Sequence, residues 1–318
     1  MGCLCAIKIY ALLVHADRIE SMILSLEELE ETPLSRSLGV QGELLMEKSI
    51  KNCHFLLHFR PLIILSILHW LIRPLLLFVM NNEKSTIIHV KVFWSYDTIT
   101  GWIVLYLMQL IHVATAIIGL IIFDSLILCI AEMILAECSV LILALNRIKF
   151  NKISKKVDII KEDVQTLTIE TYIEFHKKIL SIIEVFKEVT DNTQIIQVLI
   201  LTIVFCLSIF EASSMRGVTL NKVLNLIELT SSFILIIFMY CHYSSAITEA
   251  CLDIGRAAYM NNWYEASIYD RKCLLMIVQR SRKKQIFGKY LDVDFNTFTN
   301  ILKTAFSYYN VLKAIDIN

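Results

Sequence analysis

From Trp102 to Leu145 the chain runs for 44 residues with no lysine, no arginine and no proline. Its charged residues are Asp124, Glu132 and Glu137. As a helix rising ~1.5 Å per residue, such a run is about 66 Å long. A bilayer core of ~30 Å takes about 20 residues. Either two helices meet near Asp124, or one helix crosses the membrane and continues into water. No glycine or proline stands beside Asp124-Ser125 to break a helix, which favours the second reading. Glu132 and Glu137 would then lie beyond the bilayer, which removes the cost of burying their charge.

The same character extends along the chain. Residues are 56% hydrophobic, above the ~45–50% of an ordinary soluble domain. Three prolines and eight glycines leave turn punctuation sparse, so an all-α integral membrane protein is expected rather than a β-rich fold. Full-length apolar spans fall at 61–80, 102–146, 195–211, 223–247 and 298–315. Arg73 sits near the end of the first, where its long stem can snorkel. Glu228 lies in the fourth, and Lys303 and Lys313 make the last span the least apolar. Those two lysines, ten residues apart, fall on broadly one side of a helix. They either face a wet vestibule or snorkel from the ends. Residues 147–194 are polar, with Ile173, Ile179, Leu180, Ile183 and Phe186 at helical spacing, an amphipathic segment. A second amphipathic stretch lies within 248–297, through Trp263 and Leu274 to Val278. Residues 1–15 hold an apolar run too short to span, so they read as the residual end of a membrane helix. Ala6 stands where myristoylation after Gly2 needs Ser or Thr.

Lysine and arginine are distributed unevenly among the connections. Residues 15–60, 147–194 and 248–297 together carry 22, while 81–101 and 211–222 carry 4. The alternation is strict, and two spans within 102–146 would break it. Basic connections stay cytoplasmic, which leaves 81–101 and 212–222 extracellular and the C-terminus outside. The formal net charge is zero, so there is no basic field for nucleic acid. Nine cysteines include no C-x-x-C pair, which suggests neither a zinc site nor a redox motif. Catalytic signatures are absent, and His54 and His58 have no third ligand nearby. An enzyme, a cofactor and a metal site are not expected.

A longer pattern occupies the C-terminal third. Asn262-Trp263-Tyr264-Glu265 precedes Cys273-Leu274-Leu275-Met276-Ile277-Val278-Gln279-Arg280-Ser281. Phe287-Gly288-Lys289 then leads to Phe295-Asn296-Thr297-Phe298, Leu302-Lys303 and Ser307-Tyr308-Tyr309. In order and spacing this resembles the insect odorant receptor family. Phe93-Trp94-Ser95-Tyr96-Asp97 with Tyr106 and Gln109 resembles the segment before that family's fourth helix, with Ser95 where proline is usual. His176 to Ile195 resembles the approach to its fifth.

The resemblance implies a seven-helix channel subunit with an inside N-terminus and outside C-terminus. Counted on that scheme, 1–15 ends the second helix, 16–60 is a cytoplasmic loop, and 61–80 is the third helix. The long fourth is 102–146, the fifth 195–211, the sixth 223–247 and the pore-lining seventh 298–315. The first helix and most of the second would be missing from this chain. It further implies a ligand-binding subunit of an odorant-gated nonselective cation channel in the plasma membrane. Such a subunit binds a small volatile molecule and assembles with a co-receptor subunit, four chains around one pore. Alignment of Ser307-Tyr308 places Val311 and Ile315 at an apolar gate and Ala314 where the co-receptor has a polar pore residue. Val311 and Ile315, four apart, share a helix face, and apolar rings can gate by dewetting. The odorant pocket would draw on Ser66, His69, Trp70, Arg73, Tyr106, His112 and Phe233. Taken singly, each of these reads more readily as ordinary packing than as a pocket group. Other readings are a gustatory-type channel subunit, a G-protein-coupled receptor, which needs the opposite orientation, and a transporter, for which no internal repeat is visible.

Overall fold

The computed structural model describes residues 2–58, 60–81, 86, 98–150, 167–214, 220–288 and 292–316. Among them the regular elements are helices: α1 (Gly2–Val14), α2 (Ala16–Glu30), α3 (Pro33–Ser37), α4 (Val40–His58), α5 (Arg60–Asn81), α6 (Ile99–Arg147), α7 (Ile169–Ser214), α8 (Leu220–Met260), α9 (Ile268–Ser281) and α10 (Phe295–Asp316). A single 3-10 turn, Trp263–Glu265, precedes α9. The chain forms two compact units, Met1–Leu13 with His54–Leu126, and Val14–Cys53 with Ile127–Asn318.

The first unit contains α1, α5 and the first half of α6. Its outward side chains are aliphatic: Ile72, Leu75, Leu76 and Val79 on α5, and Ile103, Val104, Leu107, Met108 and Ile111 on α6, are all exposed. Trp102, Leu105, Tyr106 and Gln109 are buried. Pro74 lies within α5. It supplies no N–H to the carbonyl four residues earlier, which loosens that turn. Phe78 stacks on Trp102 at 4.6 Å between ring centroids, and Trp102 on Tyr106 at 5.7 Å.

The second unit is organised around α7, which packs against α2, α3, α8, α9 and α10. On α2 the residues Ile19, Met22, Leu26 and Leu29 are buried at spacings of three and four, one face of a helix. Thr32 caps α3, its hydroxyl accepting from Ser35 N–H at 3.4 Å, and Pro33 fills the first turn, where no N–H is needed. Gly39 at φ +53° ends it in the left-handed region that other residues avoid. Tyr172 is 1% exposed and Phe287 1%. Full burial of side chains of this size contributes roughly 1.5–3 kcal/mol each.

Three helices among the described residues contain stretches long and apolar enough to cross a membrane: Ile121–Arg147, Ile169–Leu207 and Ile234–Met260. Shorter apolar stretches are Cys5–Val14, Leu71–Met80 and Ile99–Thr115. The parent helices α6, α7 and α8 have 49, 46 and 41 residues. At ~1.5 Å per residue each exceeds about 60 Å, so each continues well beyond a ~30 Å core.

The structure differs from the sequence reading at three places. The segment 16–60, read as a connecting loop, is helical almost throughout. The amphipathic segment before residue 195 is not separate from the span after it, because α7 contains both. A change of polarity does not end a helix; breakers and caps do, and neither proline nor glycine occurs in α7. Glu132 and Glu137, expected in water, are 9% and 2% exposed. Asn52 Nδ2 donates to Glu132 Oε1 at 2.5 Å, so this carboxylate is buried with a partner.

Candidate functional site

The segment that launches α10 is held at several of its described signature residues. Asn262 Oδ1 accepts from Phe150 N–H at 3.0 Å, while its Nδ2 donates to the Phe150 carbonyl at 3.0 Å and to Glu265 Oε2 at 3.0 Å. One side chain thus satisfies both main-chain groups of Phe150, as a neighbouring strand would. Ser267 caps α9, accepting from Asp270 N–H at 3.1 Å. Near the other end of α9, Arg280 Nη2 lies 3.3 Å from Glu184 Oε1 of α7. Ser281 packs so closely on Gly255 of α8 that a Cβ there would fall 2.8 Å from Ser281 Cβ.

The Phe-Gly turn follows the same logic. Phe287 lies edge-on to Phe186 at 6.2 Å, with the Lys187 ammonium 5.2 Å from its ring centroid. Gly288 turns the chain at φ +88°, and its N–H donates to Asp191 Oδ1 at 2.9 Å. Val293 N–H returns to the Phe287 carbonyl at 2.8 Å. Asp294 then starts α10, its Oδ1 accepting from Thr297 N–H at 2.9 Å. Lys284 Nζ lies 2.5 Å from Asp292 Oδ2 and 3.8 Å from Asp294 Oδ2. The Asp292 carboxylate raises the Lys284 ammonium above its ordinary range. Burial works upward on Asp294, but the Thr297 amide and hydroxyl and the Lys284 charge outweigh it and hold its carboxyl below the usual value. Phe295 and Phe298 pack on Phe238 of α8 at 5.9 and 5.7 Å. The start of α10 is therefore fixed in position.

Farther along α10, Val311 is 54% exposed and Lys303 is exposed. The side chains of Ala314 and Ile315 lie outside the described residues. Among the proposed pocket residues, Tyr106 is buried and its hydroxyl donates to the Leu71 carbonyl of α5 at 2.9 Å, in the turn that Pro74 loosens. Arg73 is half-buried on α5, and His112 is exposed on α6. Ser66, His69 and Trp70 lie along α5 and Phe233 on α8, with side chains outside the described residues. Phe233 belongs to the second compact unit and the others to the first.

One pair of charged residues escaped the sequence reading. Lys8 of α1 and Asp124 of α6 form an ion pair at 2.5 Å with side chains 1% and 16% exposed. The available signal was a charge inside each apolar run, Lys8 in the short one and Asp124 midway along the long one, which in a membrane protein marks a functional or organising residue.

The family model described as 7tm odorant receptor matches residues 3–306. Odorant receptor 85b of Drosophila melanogaster is 21% identical over 145 residues, 45% of this chain and 37% of that protein. Odorant receptor 46a, isoform A, of the same species is 22% identical over 215 residues, 67% of this chain and 55% of that one. The odorant receptor coreceptor of Anopheles gambiae is 21% identical over 146 residues, 45% of this chain and 30% of the coreceptor. The chain thus spans well under two thirds of the curated relatives it matches. In three dimensions it is similar to the insect olfactory receptor OR5 from Machilis hrabei, solved in complex with eugenol. The TM-score is 0.77 at 16% identity, covering 100% of this chain and 78% of that one. That likeness shows the fold, and the match over residues 3–306 decides the rest: this chain belongs to the 7tm odorant receptor family.

Proposed function

We propose that this chain is the ligand-binding subunit of an odorant-gated nonselective cation channel. It acts in the perception of smell and assembles with a co-receptor subunit around a shared pore in the plasma membrane. The observation that carries this reading is the signature between Asn262 and Asp294, in which Asn262, Ser281, Phe287, Gly288 and Asp294 each have a packing or hydrogen-bonding task around the start of α10. A helix held so firmly at one end suits a pore wall. In this reading Val311 and Ile315 supply the apolar gate and Ala314 lines the pore beside them. The apolar, exposed Val311 fits a side chain that meets a neighbouring subunit or a dewetted pore.

The ligand is a small volatile molecule. Ser66, His69, Trp70, Arg73, Tyr106, His112 and Phe233 contribute to its pocket, which is mostly apolar with few polar groups. The basic connections lie in the cytoplasm and the C-terminus is extracellular.

Co-expression with a co-receptor subunit, followed by an odorant panel under voltage clamp, tests the reading. The expected result is an odorant-evoked cation current, shifted or lost in Tyr106→Ala at unchanged surface level. An epitope at the C-terminus should be labelled on intact cells. Silence across broad panels from a surface-delivered receptor, or a C-terminus labelled only after permeabilisation, would overturn it.

A further inference from the structure

Lys8 and Asp124 lie within one compact unit, in the apolar helices α1 and α6. The Lys8 ammonium also sits 5.6 Å from the centroid of the Phe123 ring. Around the pair, α1 and α6 approach unusually closely. Cys5 Sγ is 3.6 Å from the Thr115 carbonyl. A Cβ added to Gly119 would fall 2.8 Å from Ile9 Cγ1 and 2.9 Å from Cys5 Sγ. Thr115, Gly119 and Phe123 are four residues apart in turn, so they form one stripe on α6, and α1 lies along it.

Asp124 is not on that stripe. At ~100° per residue it stands about 100° around the helix from Phe123. It is eighteen residues, or five whole turns, from Tyr106, so these two share a face. The Lys8 side chain therefore reaches from the stripe that α1 covers to the face through which Tyr106 bonds α5. In apolar surroundings the apolar side chains of Ile9 and Ala11 alone give α1 little drive toward α6, because lipid chains are as apolar; close packing at Gly119 and polar contacts set the register. A buried ammonium or carboxylate is costly there, and the ion pair offsets that cost only while the two groups stay in contact. Sliding α1 by one residue moves its side chains ~1.5 Å along and ~100° around its axis, enough to break a 2.5 Å contact.

We propose that Lys8 and Asp124 are positioning residues, a charge clamp that fixes the register of α1 on α6 and the rotation of the α6 face carrying Tyr106. The clamp does not depend on the channel reading, and its test uses neither odorant nor co-receptor. The full chain, fused to a fluorescent protein, is extracted in mild detergent and followed by size exclusion and heating. Lys8→Met and Asp124→Leu each keep side-chain bulk and remove one member of the ion pair. Each should lower the monodisperse fraction by about fivefold or more. The double variant, with neither charge, should recover to within about twofold of the parent. Single variants that behave as the parent, or a double variant as poor as the worse single, would overturn the clamp.

Discussion

The first compact unit and the α2–α7–α9 layer of the second are built for different solvents. In the layer, Met22, Leu26, Leu29 and Tyr172 are buried. Its charges face outward in pairs, Arg18 with Glu188 at 2.6 Å and Lys178 with Glu28 at 2.5 Å. In the first unit the order is reversed. Leucine, isoleucine and methionine cover the outside of α5 and α6, while Lys8, Gln109 and the Tyr106 hydroxyl are turned inward. Water rewards the first arrangement and hydrocarbon the second. An apolar residue is therefore no guide to stability in this chain until its surroundings are known.

Substituting the same residue type on both sides tests that contrast most severely. Leu29→Ala, at a position 0% exposed, should destabilise the detergent-solubilised chain by about 2–5 kcal/mol. Leu107→Ala, at a position 48% exposed, should stay within about 0.5 kcal/mol. Equal losses in a thermal unfolding assay would erase the distinction. Tyr106→Phe removes the inward hydroxyl and leaves the Leu71 carbonyl without that donor, at a cost of about 1 kcal/mol. A change confined to ligand sensitivity would instead make the hydroxyl a pocket group.

On the aqueous side, Asp294→Ala should cost about 1 kcal/mol by uncapping α10. Because the folded Asp294 carboxyl is held below its ordinary value, its contribution is present above the unfolded pKa of about 3.9 and disappears as pH falls through the folded value. Asp294→Asn keeps the cap and should flatten that part of the acid profile. The smallest expected effect is Arg18→Ala, about 0.2–1 kcal/mol and weaker still in high salt, because both partners are more than half exposed.

Much of this architecture can be read from the sequence because run length and polarity carry it. A 44-residue apolar stretch without proline has few options, and it lies within one helix, Ile99–Arg147. The signature residues were legible as a pattern but not as physics. That Asn262 holds Phe150 across 112 residues is a fact of tertiary structure. The helices α2 to α4 were hidden because they are mixed in polarity and are bounded by local signals, such as the Thr32 cap that starts α3, rather than by changes in hydropathy. The Lys8–Asp124 pair was hidden for a plainer reason. Its members are 116 residues apart, and each alone reads as a blemish in an apolar run.

Gly119 carries this close packing into heredity. Its position excludes bulk rather than selecting a chemistry, since any Cβ there displaces Ile9 and Cys5. Every other amino acid has a Cβ, so each missense change that a glycine codon can reach in one step meets the same obstacle. Variation among interbreeding individuals at this codon should therefore be almost wholly synonymous. Where a lineage has replaced the glycine, a trimmed residue at position 5 or 9 should have come with it.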